Sequence, residues 1–252
     1  MRMRRKKNLA SRLDACKSCL ILPPMGELNA NLAPNGKEYL DFFSLFGNYN
    51  PLYLEIGCGR GQFACQSALS FPQINFIAVE KISNVIVEAG ERAMALGGIP
   101  NLVFFNSGAE YLNRYLPPHS VKRIFLNFSC PYPKTTYQNR RLTNPRFLNL
   151  YKELLIPGGE IHQKTDNQAF FEYSLESFSA CGYRLKNISL DLHHSGFEGN
   201  IPTEYEEKFS AMGKPIYRLE AVCGEKKEEA AGAQTAPLNR QSHTCFNGGE
   251  KQ

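Results

Sequence analysis

The sequence predicts an α/β protein built on one doubly wound, mostly parallel sheet in a single domain, with an antiparallel strand at one edge. Strand-like runs recur at residues 52–56, 74–79, 102–106, 122–127, 160–164, 183–190 and 216–222. Helical patterns separate the first six, among them residues 63–69, 85–96, 147–155 and 170–181. Such alternation gives parallel strands joined by crossover helices, with ligands held at the carboxyl ends of the strands. The last strand follows its predecessor through a long loop without a helix, so it is expected to run antiparallel.

In chain order, residues 1–20 are expected to form a basic arm, residues 21–223 the α/β domain, and residues 224–252 a disordered tail, polar and low in aromatics. Pro, Gly and Asn punctuate residues 21–51. The first clear strand runs into Leu54-Glu55-Ile56-Gly57-Cys58-Gly59-Arg60-Gly61, a glycine turn that opens a helix. Glu80 closes the second strand, nineteen residues beyond Gly61. Gly57, Gly59 and Gly61 allow a close backbone approach to a ligand, and an acid at the end of the second strand can accept both ribose hydroxyls. A dinucleotide site would place its third glycine at residue 62, where this chain has Gln62. Glu55 would repel a pyrophosphate and attract an ammonium group, so the cofactor is expected to be S-adenosylmethionine.

The fourth strand leads into Asn127-Phe128-Ser129-Cys130-Pro131-Tyr132-Pro133-Lys134 and on to Arg140-Arg141-Leu142-Thr143. Two prolines stiffen this loop, Tyr132 offers a stacking face, and the cations can hold phosphates. Pro157-Gly158-Gly159 is expected to stop a helix before the fifth strand, whose end reads His162-Gln163-Lys164-Thr165-Asp166-Asn167. Asp166 can cap the next helix or accept from a guanine edge. Before the last strand lies Pro202-Thr203-Glu204-Tyr205-Glu206-Glu207-Lys208-Phe209, a helix start or a reader of base edges and hydroxyls.

A chain of 252 residues, 42% hydrophobic, can bury one sizeable core. It has no apolar run long enough to span a bilayer and no signal-peptide pattern after its basic start, so a cytoplasmic protein without membrane contact is expected. The eight cysteines are scattered and read as free thiols. Cys16 and Cys19 form the one C-x-x-C, with no second pair or nearby histidines, and no metal is expected. The net charge of +5 is uneven. Residues 1–12 carry six basic side chains (Arg2, Arg4, Arg5, Lys6, Lys7, Arg12) and residues 134–146 carry four (Lys134, Arg140, Arg141, Arg146), which leaves −5 on the remainder. Two basic runs on an otherwise acidic chain fit a polyanion track.

The set Leu-Glu-Ile-Gly-Cys-Gly, Asn-Phe-x-x-Pro-x-Pro-Lys, Arg-Arg-Leu-Thr, Lys-Thr-Asp-Asn, Thr-Glu-Tyr-Glu-Glu-Lys-Phe and Gly-Lys-Pro-Ile-Tyr-Arg-Leu resembles the bacterial tRNA (guanine-N7)-methyltransferases. The resemblance runs from residue 1 to about residue 222 and implies a Rossmann-like class I methyltransferase fold. It implies methyl transfer from S-adenosylmethionine to N7 of a variable-loop guanosine in tRNA, by a monomer or homodimer. By position, Glu55, Gly57, Gly59, Gly61 and Glu80 would bind the cofactor. Lys134, Asp166, Thr203, Glu204, Tyr205 and Glu206 would bind the substrate. Arg140, Arg141, Arg4, Arg5, Lys6 and Lys7 would contact RNA.

Two cofactor positions depart from that pattern. The family loop reads Asp-Pro-Trp-Pro-Lys where this chain has Cys130-Pro131-Tyr132-Pro133-Lys134, so Cys130 stands at the family's catalytic acid. The usual acid after the third strand, near the adenine, is Gly108 here. A thiol is a weak acceptor, and losing one charge-assisted hydrogen bond costs roughly 1.5–3 kcal/mol. Guanine N7 already presents its lone pair in the ring plane, so an in-line displacement needs positioning more than a base, which can supply roughly 7–11 kcal/mol of the barrier. A weakened enzyme is therefore the expectation. The rivals are a tRNA-binding relative without turnover and a methyltransferase for another substrate.

Overall fold

The computed structural model describes residues 6–23 and 38–224. Among them, β1 (Leu20–Ile21), β2 (Leu52–Ile56), β3 (Asn75–Val79), β4 (Leu102–Phe105), β5 (Val121–Asn127), β6 (Leu155–Thr165), β7 (Arg184–Ser189) and β8 (Tyr217–Val222) form one sheet. Its order is β1-β4-β3-β2-β5-β6-β8-β7. All neighbours from β1 through β6 are parallel, while β8 runs antiparallel to both β6 and β7. The antiparallel strand thus lies at the expected side of the sheet, and its insertion makes β7 the rim. The order reverses between β2 and β5, which places the crevice at their carboxyl ends.

Strand alternation divides the core into two layers. Leu52, Leu54, Ile56, Ile77 and Val79 face α2 (Phe42–Phe46), α5 (Leu112–Tyr115), α6 (Pro145–Leu154) and α7 (Gln168–Ala180). Phe76, Ala78, Leu102 and Phe104 face α1 (Leu9–Ala15), α3 (Gln62–Ser70) and α4 (Ser83–Ala95). Because helices cover both faces, β2 to β4 are apolar nearly throughout. Asn144 caps α6 by accepting from the Arg146 N–H at 3.1 Å, with Pro145 in the first turn, where no amide donor is needed. The short α8 (Glu204–Ser210) precedes β8.

Two boundaries differ from the sequence reading. The boundary expected at residues 20 and 21 falls inside β1, which pairs with β4, and α1 docks on α4 through the Arg12–Glu91 fork at 2.6 and 2.7 Å. Residues 6–21 therefore belong to the fold. A two-residue strand and a seven-residue helix are too short for periodicity to reveal. Pro157-Gly158-Gly159 does more than end a helix: α6 stops at Leu154 and β6 begins at once. The pairing passes from Val121–Leu155 to Arg123–Glu160, so these residues bulge out of β6, with Gly158 at φ 72°. Arg4, Arg5 and the tail beyond Gly224 lie outside the described residues.

The glycine turn depends on close packing at one of its three glycines. Gly61 starts α3 with φ 75°, and a Cβ there would lie 2.8 Å from the Ala89 Cβ and 2.9 Å from the Phe104 ring. Gly57, at φ 82°, has nothing within 4 Å of such a Cβ. Gly61→Ala is expected to destabilise by about 2–4 kcal/mol, from overpacking plus backbone strain, and Gly57→Ala by about 1 kcal/mol from strain alone. Urea unfolding of the two variants checks this, and equal costs would contradict it.

Candidate functional site

The loops that carry the candidate residues share one edge of the sheet, because they follow the carboxyl ends of consecutive parallel strands. The glycine turn follows β2, Glu80 follows β3, Gly108 follows β4, Cys130 follows β5 and Asp166 follows β6. The turn is fastened by Gly57 and Cys58 N–H donation to Val79 O, at 2.8 and 3.0 Å. Gly59 has φ 57° and open space around it, so backbone lies bare above the crevice.

Glu55 sits beneath this turn and is 3% exposed. Asn127 Nδ2 donates to its Oε1 at 3.0 Å, while Glu55 Oε2 and Asn127 Oδ1 are buried without a partner. Burial pushes the Glu55 carboxyl up to about 7, against the Asn127 hydrogen bond and the charge of Lys164. An unfilled acceptor pair of this kind suits an ammonium group. Glu80 accepts from Ile82 N–H at 2.9 Å and is raised by burial. Asn106 Nδ2 donates to Glu80 O at 2.7 Å, which ties the ends of β3 and β4 together.

The loop after β5 contains two non-glycine residues in the left-handed region, Phe128 at φ 50° and Tyr132 at φ 41°. Backbone strain of this sort costs on the order of 1–3 kcal/mol per residue and concentrates at functional sites. Phe128 stacks with Tyr205 and Phe209, each at 6.4 Å between centroids. Tyr205 is 59% exposed and leaves a face for a base. Arg141 turns inward: it donates to Pro131 O at 2.9 Å and Tyr132 O at 3.1 Å and lies over the Tyr173 ring. Its guanidinium holds the loop, which leaves Lys134, Arg140 and Arg146 as the exposed cations of this run, with Arg140 over Tyr137 and Arg146 over Phe147. Cys130 is exposed.

The last cluster contains both buried and accessible members. Lys164 Nζ donates to Glu206 Oε2 at 2.6 Å, Ile201 O at 2.8 Å and Asn200 Oδ1 at 3.2 Å. Asn200 Nδ2 donates to Glu206 Oε1 at 2.5 Å, and Glu206 is fully buried. Thr203 Oγ1 caps α8 by accepting from the Glu206 N–H at 3.0 Å. Both side chains are thus engaged in fixing α8. Glu204 pairs with Arg92 of α4. The cap of α7 is Asn167, accepting from Phe170 N–H at 2.8 Å, so Asp166 is not the cap and instead faces Lys214 at 3.6 Å. Lys6 pairs with Glu88, which also binds Arg60 of the glycine turn at 2.8 Å, and Lys7 is exposed.

Sequence reasoning missed Asn127 as the partner of Glu55, Lys164 as the anchor of Glu206, and Arg92. A lysine inside a buried strand was the available signal, since such a charge needs a partner. Two further features lie on the α3 face. A cavity of about 300 Å³ runs along β2 and β5 to Asn127 and Lys164. Glu160, His162 and Glu220 lie close enough together for a cation, but Arg123 and Lys186 bind Glu160 at 2.9 and 2.5 Å, and Arg218 binds Glu220. The His162 hydrogen bond foremost, then Lys186 and Arg123, hold the Glu160 carboxyl well below the usual carboxylate range.

A family model described as "Putative methyltransferase" matches residues 49–219. A tRNA (guanine-N(7)-)-methyltransferase of Geobacillus sp. (strain WCH70) is 48% identical over 198 residues, 78% of this chain and 90% of that protein. One from Listeria monocytogenes serotype 4a (strain HCC23) is 51% identical over 177 residues, 70% and 82% respectively. The chain belongs to the tRNA (guanine-N7)-methyltransferase family. Among solved structures, the 16S rRNA methyltransferase KamB aligns with a TM-score of 0.56 at 18% identity, covering 75% of this chain and 95% of that one. A variant 16S rRNA (adenine(1408)-N(1))-methyltransferase from Catenulisporales acidiphilia, with cosubstrate SAM, aligns with a TM-score of 0.53 at 16% identity, covering 77% and 96%. These two likenesses establish the Rossmann-like methyltransferase fold. Among the described residues, no helix is long and apolar enough to cross a membrane.

Removing one partner of a buried ion pair strands the other. Glu206→Ala is expected to destabilise the protein by about 3–5 kcal/mol in urea unfolding, because Lys164 is then left without its carboxylate. A loss below about 1 kcal/mol would show that the pair does not hold α8.

Proposed function

We propose that this protein transfers the methyl group of S-adenosylmethionine to N7 of a variable-loop guanosine of tRNA, position 46 of the tRNA, in the cytoplasm. Family membership supports the reaction, and one observation in the chain carries the cofactor reading. Glu55 is buried beneath an open glycine turn with one carboxylate oxygen unpartnered, beside an unpartnered Asn127 oxygen. Those two acceptors fit the ammonium end of the cofactor, and Glu80, at the end of β3, fits its ribose. When bound there, the cofactor supplies an electrophilic sulfonium methyl.

The chain's own residues have the task of orientation. N7 needs no base, so catalysis consists of holding the guanine plane in line with the methyl. Exposed Tyr205, stacked with Phe128 and Phe209, gives the base a face, and Asp166 an acceptor for its edge. Thr203 and Glu206 act by fixing α8, so that Glu204 and Tyr205 are presented from a rigid turn. Of the two basic runs, Lys7, Lys134, Arg140 and Arg146 offer accessible cations for the RNA backbone. Arg141 serves that surface by bracing the Pro131–Tyr132 loop. A monomer or a homodimer is compatible with this arrangement.

Cys130 favours a second reading, a tRNA-binding relative that no longer transfers methyl groups. One assay separates the two: transfer of labelled methyl from S-adenosylmethionine to unmodified tRNA, with the 7-methylguanosine mapped by borohydride and aniline cleavage. Label at the variable-loop guanosine is expected for the natural chain, with a rate about 10- to 100-fold higher in Cys130→Asp. Label only in Cys130→Asp would establish the second reading. Label at another nucleotide would refute the substrate assignment.

A further inference from the structure

We propose that Arg92 is a positioning residue for methyl transfer, holding Glu204 by one carboxylate oxygen and leaving the other to the donor edge of the target guanine. This rests on the function proposed above. The first turn of α8 is fastened at two points, Glu206 to Lys164 of β6 at 2.6 Å and Glu204 to Arg92 of α4. Between these anchors lies α3, the helix that opens from Gly61. Lys164 Nζ sits 5.3 Å from the centre of the Phe63 ring of α3. On the other side, the Arg92 charge reaches the Cys65 thiol of α3, where it opposes the upward push of burial. Residues 204–206 are thus strapped across the helix that carries the glycine turn.

The two anchors differ in kind. Glu206 is fully buried and Lys164 nearly so, which makes that pair part of the fold. The side chains of Arg92 and Glu204 are 36% and 33% exposed. A pair this open to water adds little to stability, so its consequence is the place it gives the carboxylate. Arg92 Nη2 donates to Glu204 Oε1, and among the described residues no group pairs with Oε2. Guanine carries its N1–H and 2-amino donors on the edge away from N7. An acceptor that takes that edge turns N7 to the opposite side, and Glu204 Oε2 is such an acceptor at a position set by Arg92. Released from Arg92, the Glu204 side chain would recover its rotamer freedom and the alignment would loosen.

Steady-state methyl transfer to unmodified tRNA by the full chain tests this in the natural protein, Arg92→Ala, Arg92→Lys, Glu204→Ala and Arg92→Ala/Glu204→Ala. In Arg92→Ala, kcat is expected to fall about 3- to 5-fold, with KM for tRNA, KM for S-adenosylmethionine and the melting temperature kept. Arg92→Lys should keep most of the natural kcat, because an ammonium can still hold one oxygen. The double variant should be no slower than Glu204→Ala, because Arg92 acts through that carboxylate alone. Each of three results would overturn the assignment with the function reading intact. A raised KM for tRNA with kcat kept would make Arg92 a phosphate contact. A lowered melting temperature with kinetics kept would make it a structural tie, and additive losses in the double variant would place its action elsewhere than Glu204. No transfer by the natural protein would overturn the function reading itself, and this assignment with it.

Discussion

The burial of Glu55 is the constraint around which the site is organised. A carboxylate placed at the crevice of a parallel sheet, away from water, is costly unless a partner is present. Here one oxygen receives the Asn127 amide and the other receives nothing. The central position of β2, flanked by β3 and β5, imposes this burial, and Lys164 offsets part of its cost by lending charge from β6, on the far side of β5. The consequence is a carboxyl raised to about 7, held ready for a cationic ligand.

Lys164 links that cofactor pocket to the substrate side. It approaches Glu55 electrostatically from one direction and binds Glu206 directly in the other. Burial lowers the lysine and Glu206 opposes the shift, so the ion pair is kept at the root of α8. The loop after β5 is braced in parallel: Arg141 secures strained Tyr132, and strained Phe128 donates its N–H to Lys164 O at 2.8 Å. Arg141, read in the sequence as an RNA contact, and Lys164, a lysine in a buried strand, are thus both internal struts. The groups left free at the surface are aromatic faces and a few cations, the chemistry RNA recognition uses.

The central sheet was legible because its apolar runs alternate with helices and because Gly57, Gly59, Gly61 and Glu80 fall in order along one βαβ unit. The site residues were legible as motifs but not as roles. Nothing local distinguishes Asp166 from Asn167 as the cap of α7, since either could accept from an N–H two or three residues on. Thr203 and Glu206 read equally well as base readers and as a capping turn, and only the burial of Glu206 separates these. The Lys164–Glu206 pair spans forty-two residues, and α1 and β1 are too short for periodicity to show.

The central claim is that Glu55 is an incompletely partnered buried acid completed by an ammonium group, and proton release on binding tests it most directly. Calorimetry of S-adenosylhomocysteine in buffers of different ionisation enthalpy counts those protons. A cation beside Glu55 stabilises its charged form, so a carboxyl free at about 7 must lose its proton when the ligand binds. The account predicts release approaching one proton at about pH 6, little near pH 8.5, and none attributable to residue 55 in Glu55→Gln. Binding without proton release at pH 6, or release that persists in Glu55→Gln, would contradict it.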